Sequence, residues 1–195
     1  MTISNKLTLS RLALTVLFMV FLFSKGVVSK SLAFAVFIIA SFTDYLDGYL
    51  AKKRNEITNF GKFMDPIADK VLTLSAFLAF VEMELMPAWI AVIIIARELI
   101  ITGLRLAAFA NGEVMQASLA GKHKTVSQFI SIISILIFII FKEAGVRVFN
   151  FWNASFEYWY KQIIFILMLV TVILTVISGT SYILINNKYL KNGRK

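Results

Sequence analysis

Residues 43–69, TDYLDGYLAKKRNEITNFGKFMDPIAD, hold every aspartate of a 195-residue chain, at positions 44, 47, 65 and 69. Long apolar stretches lie on both sides. The segment therefore reads as the end of one helix, a charged link KKRNEITNF and the start of the next. Asp44 and Asp47, three apart, share a face of the first helix; Asp65 and Asp69, four apart, share a face of the second. Counted inward from Ala51, Asp47 is four residues deep and Asp44 seven; from Gly61, Asp65 is four deep and Asp69 eight. An antiparallel hairpin of these helices brings the four carboxylates together, the deepest about 10 to 12 Å from the helix ends at 1.5 Å per residue.

Outward from this hairpin the chain is predicted to be a membrane protein. It is 59% hydrophobic with a mean hydropathy of +0.81 and only two prolines. A spanning helix needs about 20 mostly apolar residues, and six stretches qualify, near 7–24, 31–51, 62–81, 88–110, 123–141 and 163–185. The expected fold is all-α, six transmembrane helices in a single catalytic domain over 1–195, preceded by a short interfacial turn at SNKLTLSR in which Ser4 or Asn5 caps the first helix. The first apolar run lacks a small-residue cleavage pattern, so it is expected to be retained. EMELMP is a return turn. EAGVRVFNFWNASFEYWYK is expected along the outer interface, where Trp and Tyr favour head-group level.

The net charge of +9 does not indicate nucleic acid, because the basic residues collect at span ends. Lys25, Lys30, Lys142, Arg147 and Lys161 fall on one side and the other fifteen of the twenty on the opposite one. The positive-inside rule then places both termini in the cytosol and the aspartates at the cytosolic face of the cell membrane.

Four unpaired carboxylates at that depth cost a few kcal/mol each on insertion scales and repel one another. Two divalent cations would balance them. With no cysteine and one histidine, the donors are oxygens, which favours Mg2+, with Mn2+ possible, over zinc. Two such ions about 4 Å apart can clamp both oxygens of an in-line phosphoryl displacement. At this depth a lipid's phosphate reaches the site while its acyl chains stay in the bilayer. Gly48 and Gly61 flank the cluster and allow close approach of a ligand or of the two helices.

The stretch resembles the CDP-alcohol phosphotransferases, whose motif is D-x-x-D-G-x-x-A-R, about eight residues, then G-x-x-x-D-x-x-x-D. Here it reads DYLDGYLAK, eight residues, GKFMDPIAD. Four aspartates, two glycines and Ala51 match; the arginine position holds Lys52, a point charge without the planar fork, beside Lys53 and Arg54. SNKLTLSR, GKFMDPIADK, REL with TGLR, and GKHKT extend the resemblance over most of the chain, toward the branch whose acceptor is glycerol 3-phosphate.

The resemblance implies a six-helix fold, a homodimer, and transfer of a phosphatidyl group from CDP-diacylglycerol to sn-glycerol 3-phosphate with release of CMP. It implies that Asp44, Asp47, Asp65 and Asp69 bind two metals, that Asp69 is the base, and that Gly48, Ala51, Lys52, Gly61 and Asp65 bind the cytidine nucleotide. The acceptor's phosphate needs cations, for which Arg105, Lys122, Lys124, Lys62 and Arg11 are the candidates. His123, flanked by lysines, reads as solvated or structural. Arg97 and Glu98, mid-span, are expected to satisfy each other or a neighbouring helix.

Three other readings are available. A family member could use inositol, serine, choline or a second lipid as acceptor. A cation-coupled transporter also buries acids, but here they crowd one face with no inverted repeat. The third is a metal-dependent lipid-binding protein without turnover.

Overall fold

The computed structural model describes residues 3–54, 59–110, 119–147 and 152–186, with side chains at 9–43, 70–109, 121–146 and 152–186. These residues form six helices and no strand: α1 Ile3–Phe23, α2 Val27–Arg54, α3 Asn59–Glu82, α4 Ala88–Ala110, α5 Leu119–Arg147 and α6 Ala154–Ile185. α1 lies against both α2 and α3, α5 against α2 and α6, and α4 against α3 and α6. Phe18 and Leu22 of α1, Phe37 of α2, Phe77 and Phe80 of α3, Ile90 and Ile94 of α4, and Ile132 and Ile135 of α5 fill the centre. The Phe18 and Phe37 rings meet at 5.6 Å.

The outward faces are as apolar as the centre. Val16 and Val20 on α1, Ile39 on α2, Leu78 on α3, Val92 and Ile100 on α4, Ile130 on α5 and Ile173 on α6 are all exposed. A water-soluble bundle carries charge on such faces, whereas hydrocarbon solvates them. Two helices, over Gly121–Val146 and Ala154–Ile185, are long and apolar enough to cross a bilayer. This is a helical membrane protein.

One expectation is corrected. SNKLTLSR is no interfacial turn: α1 runs unbroken from Ile3, so Ser4 and Asn5 lie inside it, in a stretch with no Gly or Pro to stop a helix. Within the aromatic segment between spans five and six, α5 continues to Arg147 and α6 begins at Ala154. Asn153 caps α6, its side chain accepting from the Phe156 amide at 2.7 Å. Trp152 and Tyr160 turn inward onto Phe138, with ring centroids 5.6 and 5.0 Å away, while Tyr158 and Trp159 stay exposed.

This end of the bundle is tied by polar contacts. Gly26, at φ 103°, reverses the chain between α1 and α2, and its amide donates to Glu143 Oε1 on α5 at 2.7 Å. Glu157 accepts from Lys142 at 2.7 Å, from Trp152 Nε1 at 2.9 Å and pairs with Lys161 at 2.9 Å. α6 has 32 residues, about 48 Å long against about 30 Å of hydrocarbon, so its first turns project beyond the hydrocarbon. There the Lys142 hydrogen bond, followed by those from Trp152 and Lys161, holds the Glu157 carboxyl down at about 2.

At the end of α3 the Leu85 amide returns to the Phe80 carbonyl at 2.9 Å and the Glu84 amide to Val81 at 3.0 Å. This pair of bonds terminates a helix through one left-handed residue. That residue is Glu84, at φ 56°, where glycine is the usual choice. Glu84→Gly is expected to raise stability by about 0.5–1 kcal/mol, after the extra chain entropy of glycine is offset against relieved strain. Thermal unfolding in detergent checks it, and an unchanged or lower midpoint counts against the strained turn.

Candidate active site

Asp44 and Asp47 lie ten and seven residues before the end of α2, and Asp65 and Asp69 six and ten residues after the start of α3. The expected helical pairs, three and four apart, are therefore carried on consecutive helices that touch and that both flank α1. The side chains of these aspartates, and those of Gly48, Ala51, Lys52, Gly61 and Lys62, lie outside the described residues.

Next in chain to Asp69, Lys70 enters an ion cluster. Glu98 of α4 is 3% exposed. Its Oε2 pairs with Lys70 of α3 at 3.4 Å. Its Oε1 accepts from Arg97 Nη1 at 3.2 Å and from Lys124 of α5. Arg97 Nη2 donates onward to Ser178 Oγ of α6 at 2.6 Å. Gly179 makes room for it, since a Cβ there would stand 3.2 Å from Arg97 Cγ. One carboxylate thus gathers cations from three helices and, through Arg97, a fourth.

A polar seam runs from this cluster between α5 and α6. Ser131 and Thr171 hydroxyls are 2.9 Å apart. One turn nearer the cluster, Gln128 Nε2 and Thr175 Oγ1 are buried without a hydrogen-bond partner among the described residues. The spacing 124, 128, 131 on α5 against 178, 175, 171 on α6 keeps this polar stripe in register on antiparallel helices.

The structure places the other predicted acceptor cations as follows. Arg105, exposed on α4, donates from Nε to the Tyr182 hydroxyl at 3.2 Å, with its guanidinium 5.1 Å from that ring's centroid. Lys124 is buried on Glu98, while Lys122 and His123 are exposed; Arg11 is buried in α1. The sequence reading missed Lys70, Ser178 and Tyr182. Only Lys70 had a signal, its position directly after Asp69.

The pattern that defines the CDP-alcohol phosphatidyltransferase family matches residues 1–185. The chain belongs to that family. It is accordingly similar to phosphatidyltransferases along nearly its whole length. A Bacillus subtilis (strain 168) protein named CDP-diacylglycerol–glycerol-3-phosphate 3-phosphatidyltransferase is 38% identical over 199 residues, covering 96% of each chain. A "Probable phosphatidylglycerophosphate synthase" of Mycobacterium tuberculosis is 35% identical over 184 residues, 93% of this chain and 79% of its own. A Haemophilus influenzae protein with the same name as the B. subtilis one is 37% identical over 131 residues, 65% of this chain and 70% of its own. As a member of the family, the chain is a phosphatidyltransferase.

CDP-alcohol phosphatidyltransferases generally depend on a divalent metal. Among the described residues no group of three His, Cys, Asp or Glu could hold an ion. Glu98, Glu143 and Glu157 are each engaged by cations or an amide, and His123 is exposed. The aspartates on α2 and α3 are the chain's one sequence cluster of hard oxygen donors.

Proposed function

We propose that this protein transfers the phosphatidyl group of CDP-diacylglycerol to sn-glycerol 3-phosphate, giving phosphatidylglycerophosphate and CMP. The observation that carries this is the 38% identity to the B. subtilis phosphatidyltransferase over 96% of both chains, together with the complete aspartate spacing between 44 and 69. All six helices cross the membrane of the cell as a homodimer, with termini and aspartates on the cytosolic side. The apolar outer faces support the spans, and the one-sided lysines and arginines support the orientation.

Asp44, Asp47, Asp65 and Asp69 would hold two divalent cations, Mg2+ first, which when bound neutralise charge on the pyrophosphate and the departing CMP. Gly48, Ala51, Gly61 and Asp65 hold the cytidine nucleotide, with Lys52 and its basic neighbours at the phosphates. Asp69 takes the proton from the acceptor's primary hydroxyl. That oxygen bonds to the phosphorus bearing diacylglycerol as the bond from phosphorus to the CMP oxygen breaks. Arg105, Lys122, Lys62 and Arg11 hold the acceptor's own phosphate, which fixes the hydroxyl in line.

Purified protein given CDP-diacylglycerol and Mg2+ should release CMP with glycerol 3-phosphate and not with inositol, serine or choline. Release with one of those instead would reassign the acceptor. Arg105→Ala is expected to raise the KM for glycerol 3-phosphate about tenfold or more, the scale of a charge-assisted hydrogen bond, with the donor KM within about twofold. Tyr182→Phe, which keeps the ring beneath the guanidinium, separates loss of the arginine from loss of its hydroxyl contact. Equal changes in both KM values argue against Arg105 as an acceptor ligand.

A further inference from the structure

We infer that Glu98 is a positioning residue for the acceptor's phosphate, acting through Lys70, an inference that rests on the phosphatidyl transfer proposed above. Three cations, Lys70, Arg97 and Lys124, converge on this one carboxylate. Among the described residues the cluster therefore carries a surplus of two positive charges. An apolar core would hold the helices together as well as an ion cluster does, and uncompensated buried charge is unfavourable. A surplus of this size matches a phosphate monoester, which carries close to two negative charges at neutral pH.

Of the three cations Lys70 is the most open, its side chain 35% exposed against 14% for Arg97 and 2% for Lys124. Lys70 follows Asp69 on α3, so the open cation stands at the level of the proposed base. Glu98 itself repels phosphate and is no ligand. Its effect is to fix the long, rotatable Lys70 chain, which would otherwise have to be ordered when the acceptor binds. Arg97, braced on Ser178 at 2.6 Å, in turn fixes Glu98.

Glu98→Gln keeps the shape and removes the charge that gathers the lysines. The variant is expected to raise the KM for glycerol 3-phosphate about tenfold or more while leaving that for CDP-diacylglycerol within about twofold. Lys70→Met, at a partly exposed site, should do the same without lowering the melting temperature, and carries the test if the Glu98 variant does not fold. Thermal unfolding titrated with inorganic phosphate gives a readout independent of turnover: wild type should gain stability with phosphate, and both variants should gain less. A lowered acceptor KM in Glu98→Gln would show the carboxylate only competing with phosphate and would overturn the inference. So would wild-type acceptor KM and wild-type phosphate response in Lys70→Met. If the wild type fails to release CMP with glycerol 3-phosphate, the functional proposal falls; if it turns over and the variants keep its acceptor KM, this inference alone falls.

Discussion

Asp69→Asn is expected to lower CMP release by at least about 10^3-fold while the protein stays folded and still takes up the nucleotide lipid. The amide has the carboxylate's shape but cannot accept the proton of the attacking hydroxyl, and a positioned base contributes roughly 10²–10⁴-fold. Loss of one oxygen donor to a metal adds to that. Stability should not suffer, because removing one of four mutually repelling charges relieves the apo protein. The unfolding midpoint without metal should therefore be equal to or above that of the wild type. Turnover within about tenfold of wild type would remove Asp69 from the chemistry. A lipid-binding protein without turnover would instead give no CMP from the wild type in any condition.

Chelation of divalent ions should bring CMP release to background, with full recovery on adding Mg2+ and recovery with Mn2+. Hard oxygen donors and the lack of cysteine predict this preference. The effect should also appear without substrate. A ligand at one hundred times its dissociation constant stabilises the state it binds by about 2.7 kcal/mol per site. Mg2+ should thus raise the wild-type unfolding midpoint, and do so much less in Asp44→Asn or Asp65→Asn. If both sites must fill, the rate rises more steeply than first order at low metal; a first-order rise with one ion bound per chain would reduce the site to a single metal. Activity in the complete absence of divalent ions would end the metal hypothesis.

The placement of the aspartates on two consecutive helices could be read from the sequence because helical spacing is local. Within a helix, three- and four-residue spacings fix which residues share a face, and the order of α2 and α3 follows from two apolar runs on either side of a charged link. Helix ends were less legible. The apolar run of span five stops at Phe141, yet α5 continues through Lys142 and Glu143 to Arg147, since backbone hydrogen bonding does not end where hydrocarbon ends. Asn153 followed by Glu157 in the first turn of α6 is a helix-start signal that the aromatic composition of the segment masked.

The pairing of Arg97 with Glu98 was expected, and the contact at 3.2 Å is present. Its extension to Lys124, 26 residues away on another helix, and to Lys70 on a third, is a product of tertiary packing that periodicity does not encode. Arg105 was singled out because it interrupts an apolar run; its contact with Tyr182, 77 residues on, was equally out of reach of a local reading. The outcome in each case follows one rule: what adjacent turns of a single helix determine is visible in the sequence, and what three helices determine jointly is not.

The contacts at the far end bear on which part of the bundle stays shut. Gly26 clasps Glu143 there, and Glu157 draws in Lys142, Lys161 and Trp152. With the turn at Gly26 held to α5, the outer ends of α1, α2, α5 and α6 are joined side chain to backbone and carboxylate to cation. Amide exchange should be slow around residues 142–146 and 152–161.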